Sequence, residues 1–135
     1  MNINKQKKEL QYSLIPIIEQ MIKKYGWDNE YALDVMIEYR RFLVLRRENI
    51  YVSPSDDVDL FWHQHILNTG HYNGYCKERF GIMIHHSPTD ADDQKERNKR
   101  LVNTYIAYLT KYNEKPNPKI WPIRPTTKSE NDHII

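Results

Sequence analysis

Residues 54–88 read PSDDVDLFWHQHILNTGHYNGYCKERFGIMIHHSP and carry most of what the sequence indicates about structure and chemistry. Ser55 followed by acidic residues is typical of a helix start, because the serine oxygen caps backbone amides and carboxylates interact favourably with the helix dipole. The pattern predicts one helix from there to about Asn68, a second over 71–80 that ends at a glycine, and an extended segment over 82–86.

Apolar residues at helical spacing predict two further helices upstream. The first covers 6–24, and Pro16 either kinks it or lies in the first turn of a helix capped by Ser13. The second follows a cap at Asp28 or Asn29 and buries a stripe whose members are Ala32, Val35, Met36, Tyr39, Phe42 and Leu43.

Downstream, a cap at Thr89 predicts a fifth helix, whose apolar stripe contains Leu101, Val102, Tyr105, Tyr108, Leu109 and Tyr112. The Ile-Trp-Pro segment 120–122 is expected to pack back on the domain, whereas the polar residues 126–135 are typical of a flexible tail. The chain is therefore predicted to be all-α, a compact bundle of about five helices in a single domain over 1–125, with the His/Cys motif at 54–88.

Bulk composition narrows the classes of function. The 20 basic and 18 acidic residues leave a net charge of +2 without a clustered basic face, so nucleic acid is not expected as a partner. Positive charge concentrates only at 40–41 and 46–47, which we interpret as a solvated helix face. No apolar run approaches the ~18 residues of a membrane span. The single cysteine excludes an internal disulfide and suits a reducing compartment, so we expect a cytoplasmic protein, with a protein partner compatible but unspecified.

Five of the six histidines and the only cysteine lie within residues 63–86, which is the strongest signal in the chain. On a helix drawn at about 100° per residue, His63 and His65 lie inward or flanking and roughly 200° apart, so they cannot both reach one ion. Asp59 lies one turn before His63 on the same side, where its carboxylate can orient the imidazole or act as a ligand itself. His63 is therefore the predicted ligand, and His65 is interpreted as a hydrogen-bonded core histidine.

The following helix is predicted to present Cys76 to the same interior. Tyr72, Cys76 and Phe80 are spaced four residues apart and form a buried stripe, whereas His71 falls on the opposite, surface side. Thiolate and imidazole together suit zinc or iron, so Cys76 is a second predicted ligand. Trp62, Tyr72 and Phe80 are the expected walls of the pocket.

His85 and His86 follow an extended run, in which adjacent side chains point in opposite directions, so one of the two faces the core. The sequence leaves open which one does. The predicted metal ligands are thus His63, Cys76 and one member of this pair. The fourth position is open to several candidates: His65, Asp59, the other histidine or water. This spacing matches no strong zinc signature.

The acidic-Trp-His helix with Trp62 and His63, followed by Cys76, a Phe-Gly step and the pair 85–86, resembles the glycine-rich-domain-containing-protein-like family. Plant members carry such a domain ahead of glycine-rich segments, and bacteria have small stand-alone versions, which this chain resembles more. The resemblance is concentrated in 54–88 and implies that these residues form one motif. It implies no particular activity, and the glycine-rich part is absent from this sequence.

Three functions are compatible with these features. The leading hypothesis is a small metal-binding protein with a mixed His/Cys site for zinc or, in second place, non-haem iron, with no reaction specified. One alternative is a metal-free thiol enzyme with Cys76 as nucleophile and His63 or His86 as base, oriented by Asp59. Against it, Cys76 lies inside a helix, not at the N-terminus where the dipole lowers a thiol pKa. The other alternative is a helical interaction module without chemistry.

Overall fold

The computed structural model describes residues 11–49, 51–87 and 93–122, and these contain five helices: α1 (Ile15–Tyr25), α2 (Asn29–Glu48), α3 (Asp56–Leu67), α4 (Thr69–Phe80) and α5 (Gln94–Tyr112). α3 packs against α1, α2 and α4, and α5 packs against α2. The described residues contain no β-strand, so the all-α prediction is confirmed. Among them, no helix is long and apolar enough to cross a membrane.

The start of α1 resolves the alternatives raised by Pro16. The helix begins at Ile15, and Pro16 lies in its first turn, where a missing backbone N–H costs little. The Ser13 hydroxyl accepts a hydrogen bond from the Ile15 N–H at 3.1 Å. Gly26 ends the helix with φ +70°, a conformation that glycine adopts without strain. The start of the predicted helix, 6–10, lies outside the described residues.

Side-chain caps begin three further helices. Asp28 accepts from the Tyr31 N–H at 2.8 Å, which identifies the cap of α2. Ser55 accepts from the Val58 N–H at 3.4 Å and begins α3 as predicted. The predicted cap of the fifth helix was wrong: α5 begins at Gln94, and Asp93 caps it. Thr89 itself lies outside the described residues.

The helices share a core of fully buried aromatic and aliphatic side chains, including Met21, Tyr39, Phe42, Phe61 and Trp62. Burial of each such side chain stabilises the fold by roughly 1.5–3 kcal/mol. Residues 120 and 121 return to this core, as expected, and both are buried there. The indole N–H of Trp121 donates to the Glu38 carboxylate at 3.1 Å. The predicted tail at 126–135 lies outside the described residues.

Candidate metal centre

Three potential ligand side chains converge at the exposed side of α3. Asp59 and His63 lie one turn apart on the helix, and His86 approaches them from the segment that follows α4. The Nε2 atoms of His63 and His86 are 3.0 Å apart. Asp59 Oδ1 lies 2.8 Å from His86 Nε2, and Asp59 Oδ2 lies 3.5 Å from His63 Nε2. Each residue thus directs one possible ligand atom toward a common centre.

The separations among these ligand atoms are comparable to those around a transition-metal ion. Ligand atoms about 2.0–2.1 Å from one ion lie about 2.9 Å apart at right angles and about 3.4 Å apart at tetrahedral angles. The two Nε2 atoms are 3.0 Å apart, and each lies 2.8 or 3.5 Å from a different oxygen of the Asp59 carboxylate, which is comparable to that range. The same arrangement can also be held by protons, since an imidazole N–H donates readily to a carboxylate. The geometry therefore fits a cation or a hydrogen-bonded histidine pair.

Solvent reaches this cluster. The side chain of His63 is 56% exposed, that of Asp59 34% and that of His86 19%. The prediction that His63 lies inward or flanking the core was wrong. It relied on Ile66 and Leu67, the neighbours of His63 on the helical wheel, to mark the buried side, yet Leu67 is itself 68% exposed. Because α3 leaves part of its apolar surface uncovered, proximity to these residues on the wheel did not indicate burial.

The position of His86 is fixed by a buried hydrogen-bonded pair beneath it. The Trp62 ring packs against the His86 imidazole with centroids 4.0 Å apart and an interplanar angle of 31°. Trp62 Nε1–H donates to the Tyr72 hydroxyl at 2.9 Å, and that hydroxyl donates to the Ile84 carbonyl. Two of the predicted pocket residues, Trp62 and Tyr72, therefore support the segment that carries His86. The third, Phe80, is half-buried against the core.

The structure does not bring Cys76 to this centre. Its side chain is fully buried in α4, and among the described residues it is not one of those whose ligand atoms converge. Burial raises the pKa of the Cys76 thiol, which is the opposite of the shift a thiolate nucleophile requires. Of the adjacent histidines, His86 faces the cluster, whereas His85 is exposed and lies outside it.

Asp59 does not take the position predicted for an orienting carboxylate. We expected it to bond the His63 nitrogen left free by a metal. Instead its two oxygens face the Nε2 atoms that His63 and His86 direct toward each other. Asp59 is therefore placed as a third possible ligand, the other role that the sequence left open.

His65 forms a separate buried chain. Its Nδ1 lies 2.7 Å from the Tyr39 hydroxyl, and its Nε2 lies 2.8 Å from His71 Nδ1. His71 Nε2 lies 2.9 Å from the Ser13 carbonyl oxygen, which can only accept. His71 must therefore carry its proton on Nε2, so the His65 Nε2–H donates to His71 and the Tyr39 hydroxyl donates to His65. Burial lowers the pKa of His65 to about 3, and the ring is neutral.

The surface assignment of His71 was wrong, because the ring is partly buried and bonded on both nitrogens. The chain changes direction at Asn68, between the two helices, so that α4 packs against α3 and His71 lies beside His65. Helical wheels drawn for single helices contain no such information. The interpretation of His65 as a hydrogen-bonded core histidine agrees with this geometry.

Two surface depressions adjoin the cluster. A groove of about 510 Å³ has His63 and His86 in its wall, together with the apolar side chains Leu60, Ile66 and Leu67. A smaller depression of about 60 Å³ includes residues from the other side of the cluster: Asp59, Trp62, His86, Arg46 and Arg97. The cluster therefore lies between an apolar groove and a small basic recess.

The amino-acid sequence matches a known family. A family model described as UCP032817-like matches residues 5–120. Glycine-rich domain-containing protein 2 of Arabidopsis thaliana is 22% identical over 112 residues, which cover 78% of this chain and 14% of the plant protein. The chain thus spans only a small part of that relative, and the resemblance inferred from 54–88 is confirmed. No solved structure matches the chain.

Proposed function

We propose that this chain, which belongs to the UCP032817-like family, binds one divalent transition-metal ion through Asp59, His63 and His86. The observation that supports this proposal is the convergence of three ligand atoms, all within 4.8 Å of one another, from two separate segments of the chain. A hydrogen-bonded histidine pair would account for the same distances, so the proposal is decided by measuring whether the protein takes up metal.

The donor set favours zinc or ferrous iron. Two imidazoles and one carboxylate are the protein ligands of one class of catalytic zinc site and of many non-haem iron sites. Three protein ligands leave at least one position for water or a substrate atom, which distinguishes such a site from a closed structural one. An ion held here would lower the pKa of bound water or polarise a bound oxygen. A metal-dependent reaction at the protein surface is therefore the class of activity that the site supports.

The thiol-enzyme alternative loses its main support in this geometry. Cys76 is buried, its thiol pKa is raised, and the proposed base His63 belongs to the exposed cluster. Cys76 is also not needed by the proposed ion, since Asp59, His63 and His86 supply one carboxylate oxygen and two imidazole nitrogens. We therefore replace the mixed His/Cys site with a site made of two histidines and one aspartate.

Elemental analysis of protein purified without a polyhistidine tag tests the proposal. We expect about one equivalent of zinc or iron per chain, or its uptake on titration of the metal-free protein. His86→Ala should weaken zinc affinity at least about 100-fold, because one of three ligands is removed. The adjacent His85→Ala is the matched control and should leave affinity unchanged. Protein that takes up less than about a tenth of an equivalent, or equal losses in both variants, would refute the proposal.

A further inference from the structure

The groove beside the cluster has the character of a ligand site. Its volume of about 510 Å³ lies within the range of small-molecule pockets. Leu60, Ile66 and Leu67 form its apolar surface, and His63 and His86 lie in the same wall. Leu67 is 68% exposed, so an apolar side chain next to the cluster is left uncovered in the free protein. An apolar molecule in the groove would remove that surface from water and lie within reach of an ion held by the two histidines.

The charges around the groove select an anion. Lys24 lies in its lining, and none of the described residues that line it is acidic. A divalent ion held by a single carboxylate would add a further positive charge at the end formed by the histidines. The arginines near the cluster, Arg46 and Arg97, line the recess on the other side. The groove therefore offers an ion and one ammonium group but no guanidinium fork, the group that favours phosphate.

We propose that the groove binds a small apolar monocarboxylate, with its carboxylate at the ion and its hydrocarbon chain along Leu60, Ile66 and Leu67. This inference rests on the proposed function, since the ion supplies most of the attraction for the carboxylate. It adds the substrate class: an alkyl or aryl carboxylic acid rather than a sugar, a nucleotide or a phosphate ester. The carboxylate would occupy the position left open by the three protein ligands.

Calorimetric titration of zinc-loaded protein with butanoate, hexanoate and octanoate tests the proposal. The affinity should rise about two- to fourfold for each added methylene, because each is removed from water by the groove. Octanol and octylammonium should bind at least about tenfold more weakly, since neither offers an anion to the ion. Metal-free protein should bind octanoate at least about tenfold more weakly for the same reason.

Two variants locate the binding surface. Leu67→Ser should weaken octanoate binding about threefold or more and butanoate binding less, because the longer chain buries more apolar surface along the groove. Val102→Ser is the matched control: Val102 is 56% exposed on α5 and does not line the groove, so octanoate binding should be unaffected.

The possible outcomes distinguish the monocarboxylate proposal from the metal-binding proposal on which it rests. Protein that takes up no metal refutes both. If the protein takes up metal but binds the three carboxylates equally, or binds octyl phosphate more tightly than octanoate, the monocarboxylate proposal is refuted. The metal-binding proposal is unaffected by either result. The same holds if Leu67→Ser and Val102→Ser have equal effects, because the chain then lies elsewhere.

Discussion

Removing the Tyr72 hydroxyl with Tyr72→Phe tests how the protein positions His86. That single oxygen accepts the indole N–H of Trp62 and donates to the Ile84 carbonyl, two residues before His86. Trp62 is 1% exposed and Ile84 4%, so water cannot easily replace either bond. A buried polar group left unpaired costs about 1–3 kcal/mol, so two of them should lower the free energy of unfolding by roughly 2–5 kcal/mol.

The same substitution should weaken metal binding even though Tyr72 donates no ligand. Without its hydroxyl, the segment before His86 loses an anchor, and the Trp62 ring against which His86 packs is free to shift. Loss of a supporting partner of this kind typically weakens metal affinity about 10–100-fold. Chemical denaturation measures the free energy of unfolding, and competition with a chelator at fixed zinc concentration measures the metal affinity.

Tyr112→Phe is the control for the loss of a hydroxyl as such. The Tyr112 hydroxyl donates to the Arg41 carbonyl at 3.0 Å, away from the metal centre. This variant should lose about 1 kcal/mol of stability and no metal affinity. If Tyr72→Phe destabilises the protein but binds zinc as tightly as the wild type, the hydroxyl does not position His86. If neither quantity changes, the two buried hydrogen bonds are not formed.

Asp59→Asn should keep the fold but weaken zinc affinity at least about 100-fold, because the ligand charge is lost, and an affinity unchanged in chelator competition would remove Asp59 from the site. His71→Ala should lower the free energy of unfolding by about 1–3 kcal/mol in urea denaturation, because the buried His65 N–H loses its acceptor, and metal content should stay constant; a loss of metal would connect the two histidine clusters. Burial raises the pKa of Glu38, so its contribution to stability is present below the ordinary glutamate pKa and is lost as pH rises through the raised folded value. Glu38→Gln keeps an acceptor for Tyr108. In thermal melts, the melting temperature of the variant should rise relative to that of the wild type as pH increases from about 4 to 7. A difference in melting temperature that does not depend on pH would contradict this.

Several helix ends could be predicted because their causes are local, although the cap of α5 could not. A cap at Asp28 or Ser55 bonds to an amide three residues ahead, and Gly26 and Gly81 supply the left-handed conformation that ends a helix. These interactions involve neighbours in the chain, so composition and spacing are sufficient to find them. The all-α class follows from the same information, since apolar residues at helical spacing indicate where helices form. The clustering of five histidines within residues 63–86 could likewise be read directly from the sequence.

Which residues form the proposed metal site depended on long-range packing. Asp59 and His63 share a helix face, but His86 joins them because Tyr72 holds the Ile84 carbonyl and because the Trp62 ring lies beneath the imidazole. A helical wheel gives directions around one axis and says nothing about where the next segment returns. It therefore grouped a core cysteine with a surface histidine. The packing of α4 on α3 excludes Cys76 from the site, and the path of the chain after Gly81 selects His86 over His85, because these positions are set by contacts between distant residues and not by spacing.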